Sequence, residues 1–437
     1  MKISRLYVEN FRGFKKREFN FSDHVTVLIG DNGTGKTAIL DALAVALGSL
    51  FLSFNNIGSR YIQTEEVRIA NYVMGEIPTP EPKYPVVIEC EGMVNGQEIS
   101  WKRTLNSAKG RTTRQGAKEI SEVSKELQEQ VSNGQEMLLP VIAHYGPGRL
   151  WLQKKEKSVE PVKPGSRMLG YVDCLDPASN EKMLLRWLYT MELASLQAKK
   201  TLGVLEAVKQ AVLDCLGPDY EMFYDIINAE LLIQDTSGHT LPFRLFSDGV
   251  RNMLGMVADI AYRGAVLNPH LGRQAVKEMP GVVLIDEIGL HLHPPERSEG
   301  SQRRVVDDLR RTFPKIQFIT TTHSPFIIQS LQPGELIDLN HLPGAQYSNK
   351  SIEDIAESVM GIPVPQRSRR YQRMYEAAKE YYGVLQDAQG ASPERVDELK
   401  RKLDELVAPF SDNVAYHAFL EMKRNAAGFG DENHETD

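Results

Sequence analysis

Val25-Thr26-Val27-Leu28-Ile29-Gly30-Asp31-Asn32-Gly33-Thr34-Gly35-Lys36-Thr37 decides how the rest of this chain is read. Val25, Val27, Leu28 and Ile29 make a short apolar run that predicts a buried strand. From Gly30 the residues fit Gly-x4-Gly-Lys-[Ser/Thr]. Ala38 to Leu47 carry apolar residues at helical spacing, so the glycine loop joins a strand to a helix. Polyphosphate chemistry needs that context. Gly30, Gly33 and Gly35 let backbone N–H groups turn inward, with Asp31, Asn32 and Thr34 completing the cradle, and the helix N-terminus adds positive potential. Lys36 would reach the β- and γ-phosphates, and the Thr37 hydroxyl would ligate Mg²⁺. The stretch is a nucleotide-binding loop.

The 437 residues suffice for two or three domains, or for one large domain with insertions. Net charge is −7, so no global basic field draws the protein onto nucleic acid, and any such contact must be local. Three scattered cysteines, Cys90, Cys174 and Cys215, suit a reducing cytosol and predict no metal cluster. The N-terminus carries Lys2 and Arg5 without an apolar stretch, so no secretion signal is expected. Ala38 to Phe54 is apolar but holds Asp41, and reads as a core helix, not a membrane span.

Ile3 to Val8 and Arg17 to Phe21 alternate like strands and predict an antiparallel pair packed on a parallel core. Ile3-Ser-Arg-Leu-Tyr-Val-Glu-Asn-Phe-Arg-Gly-Phe14, followed by Val25 to Leu43, resembles the N-terminal lobe of ABC-type ATPases related to SMC and RecF proteins. The resemblance implies an α/β P-loop fold: a mixed central sheet flanked by helices, an antiparallel β-subdomain, and ATP with Mg²⁺ as ligands. Tyr72 to Pro85 is proline-rich and reads as a loop. Val86 to Glu91 and Glu98 to Leu105 pair across Asn95-Gly96, a hairpin-turn dipeptide. Lys102, Arg103, Lys109, Arg111, Arg114 and Lys118 form the densest basic run. It reads as a backbone contact for nucleic acid or as a solvated hairpin tip, and the absence of interleaved aromatics favours the tip.

Lys118 to Val131 is helical and Leu138 to His144 a buried strand. Relatives place a γ-phosphate-contacting loop after this strand, which makes Arg149 or Gln153 a candidate sensor, although an ordinary turn is the favoured reading. Trp151 to Asp176 reads as loop. Glu181 to Leu216 is helical, with Leu205, Val208, Val212 and Leu216 on one face. This helical insertion, about 177–228, is too short for the coiled-coil arm of SMC-like ATPases.

Glu230 to Asp235 and Thr240 to Phe243 predict a hairpin around Ser237-Gly238. Leu245-Phe-Ser247-Asp248-Gly249-Val-Arg251 then opens a helix to Leu267 and is similar to the ABC signature loop, with Asp248 where glycine is usual. There the Ser247 hydroxyl and Gly249 N–H can bind an anion, in the family the γ-phosphate held by another protomer; a simple helix N-cap also explains Ser247-Asp248. Val282 to Ile285 ends on Asp286 and Glu287, the Walker B pattern, with Asp286 holding Mg²⁺ through water and Glu287 polarising the attacking water. His291 and His293 lack a third ligand nearby and are not read as a metal site. Two departures from the relatives, Gly289 in place of an acid and the inserted Pro295 to Ser301, predict slow hydrolysis. Gln302 to Phe313 reads as a basic helix, Ile316 to Thr321 as a core strand, and Thr322-His323-Ser324-Pro325 as the switch loop whose His323 bonds the γ-phosphate.

Residues 1–340 are thus expected to form the ATPase domain and 341–437 a helical extension. Its stripes are Tyr371, Met374, Ala378, Tyr381, Tyr382 and Leu385; Val396, Leu399, Leu403 and Leu406; and Ala415, Phe419 and Met422. No Asp-x-Asp follows residue 335, so no Toprim-type nuclease is expected in the chain. The tail resembles the PtuA family of bacterial Septu anti-phage modules, also found with some retrons. That resemblance implies a homo-oligomer of ATP-sandwiched dimers or higher order, an HNH-type nuclease partner, DNA contact within the complex and no membrane. A RecF-like repair ATPase binding DNA directly is the alternative, and an ABC transporter subunit is disfavoured by Asp248 and the long tail.

Overall fold

In the computed structural model the described residues are 1–54, 57–74, 77–148, 167–177, 181–228, 230–292, 302–340, 350–358, 360, 369–388, 393–410, 412 and 414–426. The chain opens with β1 (Lys2–Phe11), β2 (Phe14–Asn20), β3 (Val25–Ile29) and α1 (Lys36–Leu47). Then come β4 (Ile69–Met74), β5 (Ile77–Pro82), β6 (Val86–Val94), β7 (Gln97–Leu105), α2 (Lys118–Ser132) and β8 (Val141–Tyr145). A helical stretch holds α3 (Glu181–Ala198) and α4 (Gly203–Leu216), followed by β9 (Tyr220–Asp225), β10 (Glu230–Asp235) and β11 (Thr240–Pro242). The second half runs α5 (Asp248–Leu267), α6 (Ala275–Glu278), β12 (Gly281–Ile285), α7 (Val305–Thr312), β13 (Ile316–Thr321), α8 (Pro325–Gln329) and β14 (Leu336–Asp338). Among the described residues the last helices are α9 (Ile352–Ser358), α10 (Arg369–Ala388), α11 (Pro393–Val407) and α12 (Val414–Ala426).

Parallel and antiparallel strands segregate. The central sheet, expected to be mixed, has the order β14-β3-β13-β12-β8 with every pairing parallel, the antiparallel strands lying in separate sheets. Every residue of β3, β8, β12 and β13 is buried, as a sheet covered on both faces requires. The antiparallel sheet β2-β1-β6-β7 forms a second layer, and α1 lies between the two. That position explains why α1 is apolar all round and almost wholly buried. The Trp101 Nε1–H donates to the Ala46 carbonyl at 2.9 Å, fixing the helix to the antiparallel layer. Gln317 joins the layers, accepting from the Ile3 N–H at 2.7 Å and donating to the Ile3 and Ser22 carbonyls at 2.7 and 2.8 Å. A buried amide satisfied this fully costs little desolvation.

Several sequence expectations need correction. Within the stretch expected to be loop, residues 72–74 and 77–82 are strand: β4 and β5 pair antiparallel, with Pro78, Pro80 and Pro82 opposite Val73, Asn71 and Ile69. Spaced by two, the prolines take the non-hydrogen-bonded positions, and residues 77, 79 and 81 keep their N–H groups for the partner. The basic run is no hairpin tip, since the 95–96 turn lies elsewhere. Arg103 is fully buried, its guanidinium 5.4 Å from the Tyr61 ring centroid and its Nε donating to the Thr113 carbonyl at 2.9 Å. Burial pulls its pKa down to about 10. Lys109, Arg111, Arg114 and Lys118 are exposed in the segment after β7. The strand expected over 138–144 begins at Val141, and Leu138 is exposed. The helix expected over 302–313 begins at Val305. The 181–216 stretch is two helices, and β9 adds an unforeseen third strand to the predicted hairpin.

The chain divides into compact units at Ile355/Ala356. In the second unit α10 packs on α11, and the Tyr416 hydroxyl of α12 donates to the Met374 carbonyl at 2.7 Å. Tyr381 and Leu420 are buried, whereas Phe419 and Met422, expected on the buried stripe of α12, are 46% and 57% exposed. Among the described residues of the helix, Leu420, one and two positions from them, is the buried one instead.

Candidate nucleotide site

The C-terminal ends of β3, β12 and β13 converge, and each releases one loop of the site. In open α/β sheets this edge is where ligands sit. After β3, Gly30, Gly33 and Gly35 have φ of 150°, 88° and 101°, the last two firmly in the left-handed region that a side chain resists. Gly35 has a second reason to be glycine, because a Cβ would lie 2.5 Å from the Phe14 ring. Lys36 Nζ donates to the carbonyls of Gly30 and Asp31 at 2.8 and 3.1 Å, bridging the loop. The Thr34 hydroxyl donates to the Asp31 carbonyl at 2.9 Å, closing the turn.

After β12 comes the acid pair. The Asp286 carboxylate, 3% exposed, accepts from the Thr37 hydroxyl at 2.8 Å and from the Thr321 hydroxyl at 2.6 Å. Thr321, the last residue of β13, also accepts from the Glu287 N–H at 2.8 Å. Glu287 takes φ of 52°, and such strain in a non-glycine residue persists only where neighbours enforce it. The turn brings a Glu287 carboxylate oxygen to 3.6 Å from His323 Nε2. The hydroxyl and carboxylate oxygens of Thr37 and Asp286 are the hard donors Mg²⁺ prefers, beside a glycine loop whose N–H groups can take phosphate. These residues fit a magnesium nucleotide.

The other predicted loop begins α5. Ser247 is the exposed N-cap residue and makes no side-chain cap bond, so the capping explanation of its hydroxyl fails. Gly249 is buried against the loop after Glu287: a Cβ would stand 2.1 Å from the His291 carbonyl oxygen. Gly289, where an acid was expected, packs against Ile327, whose Cδ1 would lie 2.7 Å from an added Cβ. Arg149, Gln153, His293 and the Pro295 to Ser301 insertion lie outside the described residues. Among the described residues no His, Cys, Asp and Glu cluster forms a metal site, and no helix is long and apolar enough to cross a membrane.

A family model described as an AAA domain matches residues 5–216. A second AAA-domain model, whose description also names an AbiEii toxin of a type IV toxin–antitoxin system, matches residues 155–329. The chain carries an AAA-type ATPase domain. The ATPase is similar to the retron Vc95 probable ATPase of Vibrio cholerae serotype O1 biovar El Tor, at 24% identity over 78% of this chain and 74% of that protein. It is also similar to the Septu protein PtuA of Bacillus thuringiensis, at 30% identity over 45% of this chain and only 50% of that relative's length. Among solved structures, the SmcHead bound to the C-winged helix domain of ScpA aligns at 17% identity over 75% of this chain and 91% of that one, with a TM-score of 0.43.

Burial sets the electrostatics of the ATPase site. Desolvation lowers the Lys36 pKa, opposed by Glu287, Asp286 and Asp31, and phosphate oxygens would add further countercharge. Asp41 in α1 is raised by burial although Arg12 and Arg60 bond it at 2.6 and 3.0 Å, and both arginines also pair with the buried Glu66. Sequence reading missed this network because its members are spread from residue 12 to residue 66. It also missed Thr321, which orients both acids, although its place at the end of the strand before His323 was a usable signal. His144, beside Leu284 of β12 in register, is 4% exposed and driven down to about 4 by burial and then by Arg60.

Proposed function

We propose that this ATPase is an ATP-dependent dimer switch in an anti-phage defence complex, scaffolding and gating an HNH-type nuclease partner. In this reading the loop from Gly30 to Thr37 holds the phosphates, Thr37 and Asp286 hold Mg²⁺, Glu287 activates water and His323 contacts the γ-phosphate. When bound, Mg²⁺ would supply charge neutralisation at the phosphates. Thr321 holds Asp286 and the Glu287 backbone so that the two carboxylates are separated in role. Helices of the second unit would serve oligomerisation or nuclease docking. The retron and Septu names of the similar proteins support the defence setting.

The observation that carries the switch is the uncapped, exposed Ser247. With no cap bond to make, its exposed hydroxyl is open to a phosphate held by a partner chain, as the similarity to the signature loop implies. Ser247→Arg is therefore expected to leave ATP binding by the single chain intact and to abolish ATP-dependent association in sedimentation. Normal association of the variant with ATP would remove the composite site.

A further inference from the structure

We propose that Gln302 is a positioning residue for hydrolysis, holding the Glu287 loop and the His323 loop at a fixed separation. The inference rests on the assignment of Glu287 and His323 as the hydrolytic pair. The Gln302 Nε2 donates to the Leu292 carbonyl at 2.9 Å and to the Gly289 carbonyl at 3.4 Å, both in the loop that follows Glu287. Its Oε1 accepts from the Ser324 hydroxyl at 2.5 Å, and Ser324 follows His323 directly. Ser324 is itself fixed as the N-cap of α8, its side chain accepting from the Ile327 N–H. One half-buried amide thus bonds both loops that carry the 3.6 Å contact between Glu287 and His323.

The same loop meets the signature helix, where the His291 main chain leaves no room for a Cβ on Gly249. A shift of α5 on meeting a partner's nucleotide would press on His291, pass to Leu292 and reach His323 through Gln302. The segment does not need Gln302 to stay in place. Arg303 stacks its guanidinium 5.3 Å from the Phe326 ring centroid, and Val305 and Val306 are buried. An amide suits the task because it donates on one side and accepts on the other. A glutamate in its place would keep the acceptor for Ser324 and lose both donors.

The test uses the full chain and single-turnover hydrolysis of prebound Mg²⁺-ATP. Gln302→Ala and Gln302→Glu are expected to slow the chemical step about tenfold while ATP affinity by calorimetry changes less than about twofold, a split that general loss of packing does not give. Combined with His323→Ala, Gln302→Ala is expected to add less than about a twofold further loss, because both act through one loop. A wild-type rate in both Gln302 variants overturns the proposal, as does a fully multiplicative double variant. A fall in affinity and unfolding midpoint together, with the rate following, reduces Gln302 to packing and also overturns it. Glu287→Gln runs alongside: if it hydrolyses ATP normally, the underlying assignment fails, whereas its inactivity beside a normal Gln302→Ala fails the positioning role alone.

Discussion

At Gly249 local propensity and tertiary packing disagree in sign, and Gly249→Ala decides between them. Gly249 is the second residue of α5, and in a helix interior alanine is favoured over glycine by about 1 kcal/mol. Packing predicts the opposite. The added Cβ would stand 2.1 Å from the His291 carbonyl oxygen and 2.8 Å from its carbonyl carbon. Carbon and oxygen rest at about 3.3 Å or more, so the two backbones must part by roughly 1 Å. Both contacts are main chain, and no rotamer relieves them. His291 is already at φ 64°, which leaves its loop little freedom to yield. Overpacking of this kind costs about 1–3 kcal/mol, and a 1 Å displacement near the chemistry about 10²-fold in rate. Gly255 in the same helix is the control, since its Cβ would meet nothing within 4 Å, and Gly255→Ala should gain about 0.4–1 kcal/mol. Urea unfolding of the three chains and phosphate release at saturating ATP read both effects. Gly249→Ala matching Gly255→Ala in stability, with wild-type turnover, would refute the packing argument.

Lys36→Ala should abolish nucleotide binding by calorimetry, because the ammonium bridging the loop is the one placed to meet phosphate oxygens. Glu287→Gln should keep ATP affinity and lower turnover by ~10²-fold or more, since the amide is no base. With Gly289 replacing an acid, wild-type turnover is itself expected to lie below the usual range of ~1–10³ s⁻¹, checked by steady-state phosphate release. His144 should make the protein acid-sensitive. Neutral when folded, it has a pKa of about 4 against an ordinary 6.5, so the unfolded chain binds the proton first as pH falls. The stability is present above pH about 6.5 and is lost as pH drops towards about 4, amounting to about 2 kcal/mol by pH 5. His144→Gln should flatten that part of the urea-midpoint profile against pH; an unchanged slope would mean His144 is not the group responsible.

The sequence by itself determined the parts of this ATPase that depend on neighbours along the chain. The phosphate loop, the strand ending on Asp286-Glu287, the helix opening at Ser247 and the turn at Asn95-Gly96 are each written in a dozen residues or fewer. Backbone chemistry there is local: glycines where φ is positive, and apolar runs where a strand is buried on both faces. Periodicity likewise found α2 and α5 within a few residues of their ends.

Tertiary structure decided everything that needed two distant segments to meet. A composition rule made 72–85 a loop, because proline is a poor strand residue until its alternate spacing is matched with a partner strand. A count of charges made Arg103 part of a basic patch, yet its side chain is enclosed by Tyr61 and Thr113, some 40 and 10 residues away. Apolar spacing put Phe419 on a stripe of α12, and only the packed helices show it 46% exposed in the single chain. The site shows the same division. Thr37, Asp286, Glu287 and His323 were each legible by motif. Thr321 and Gln302, which fix the distances among them, carry no motif, since a hydrogen bond between loops depends on the sheet order that brings β3, β13 and β12 side by side.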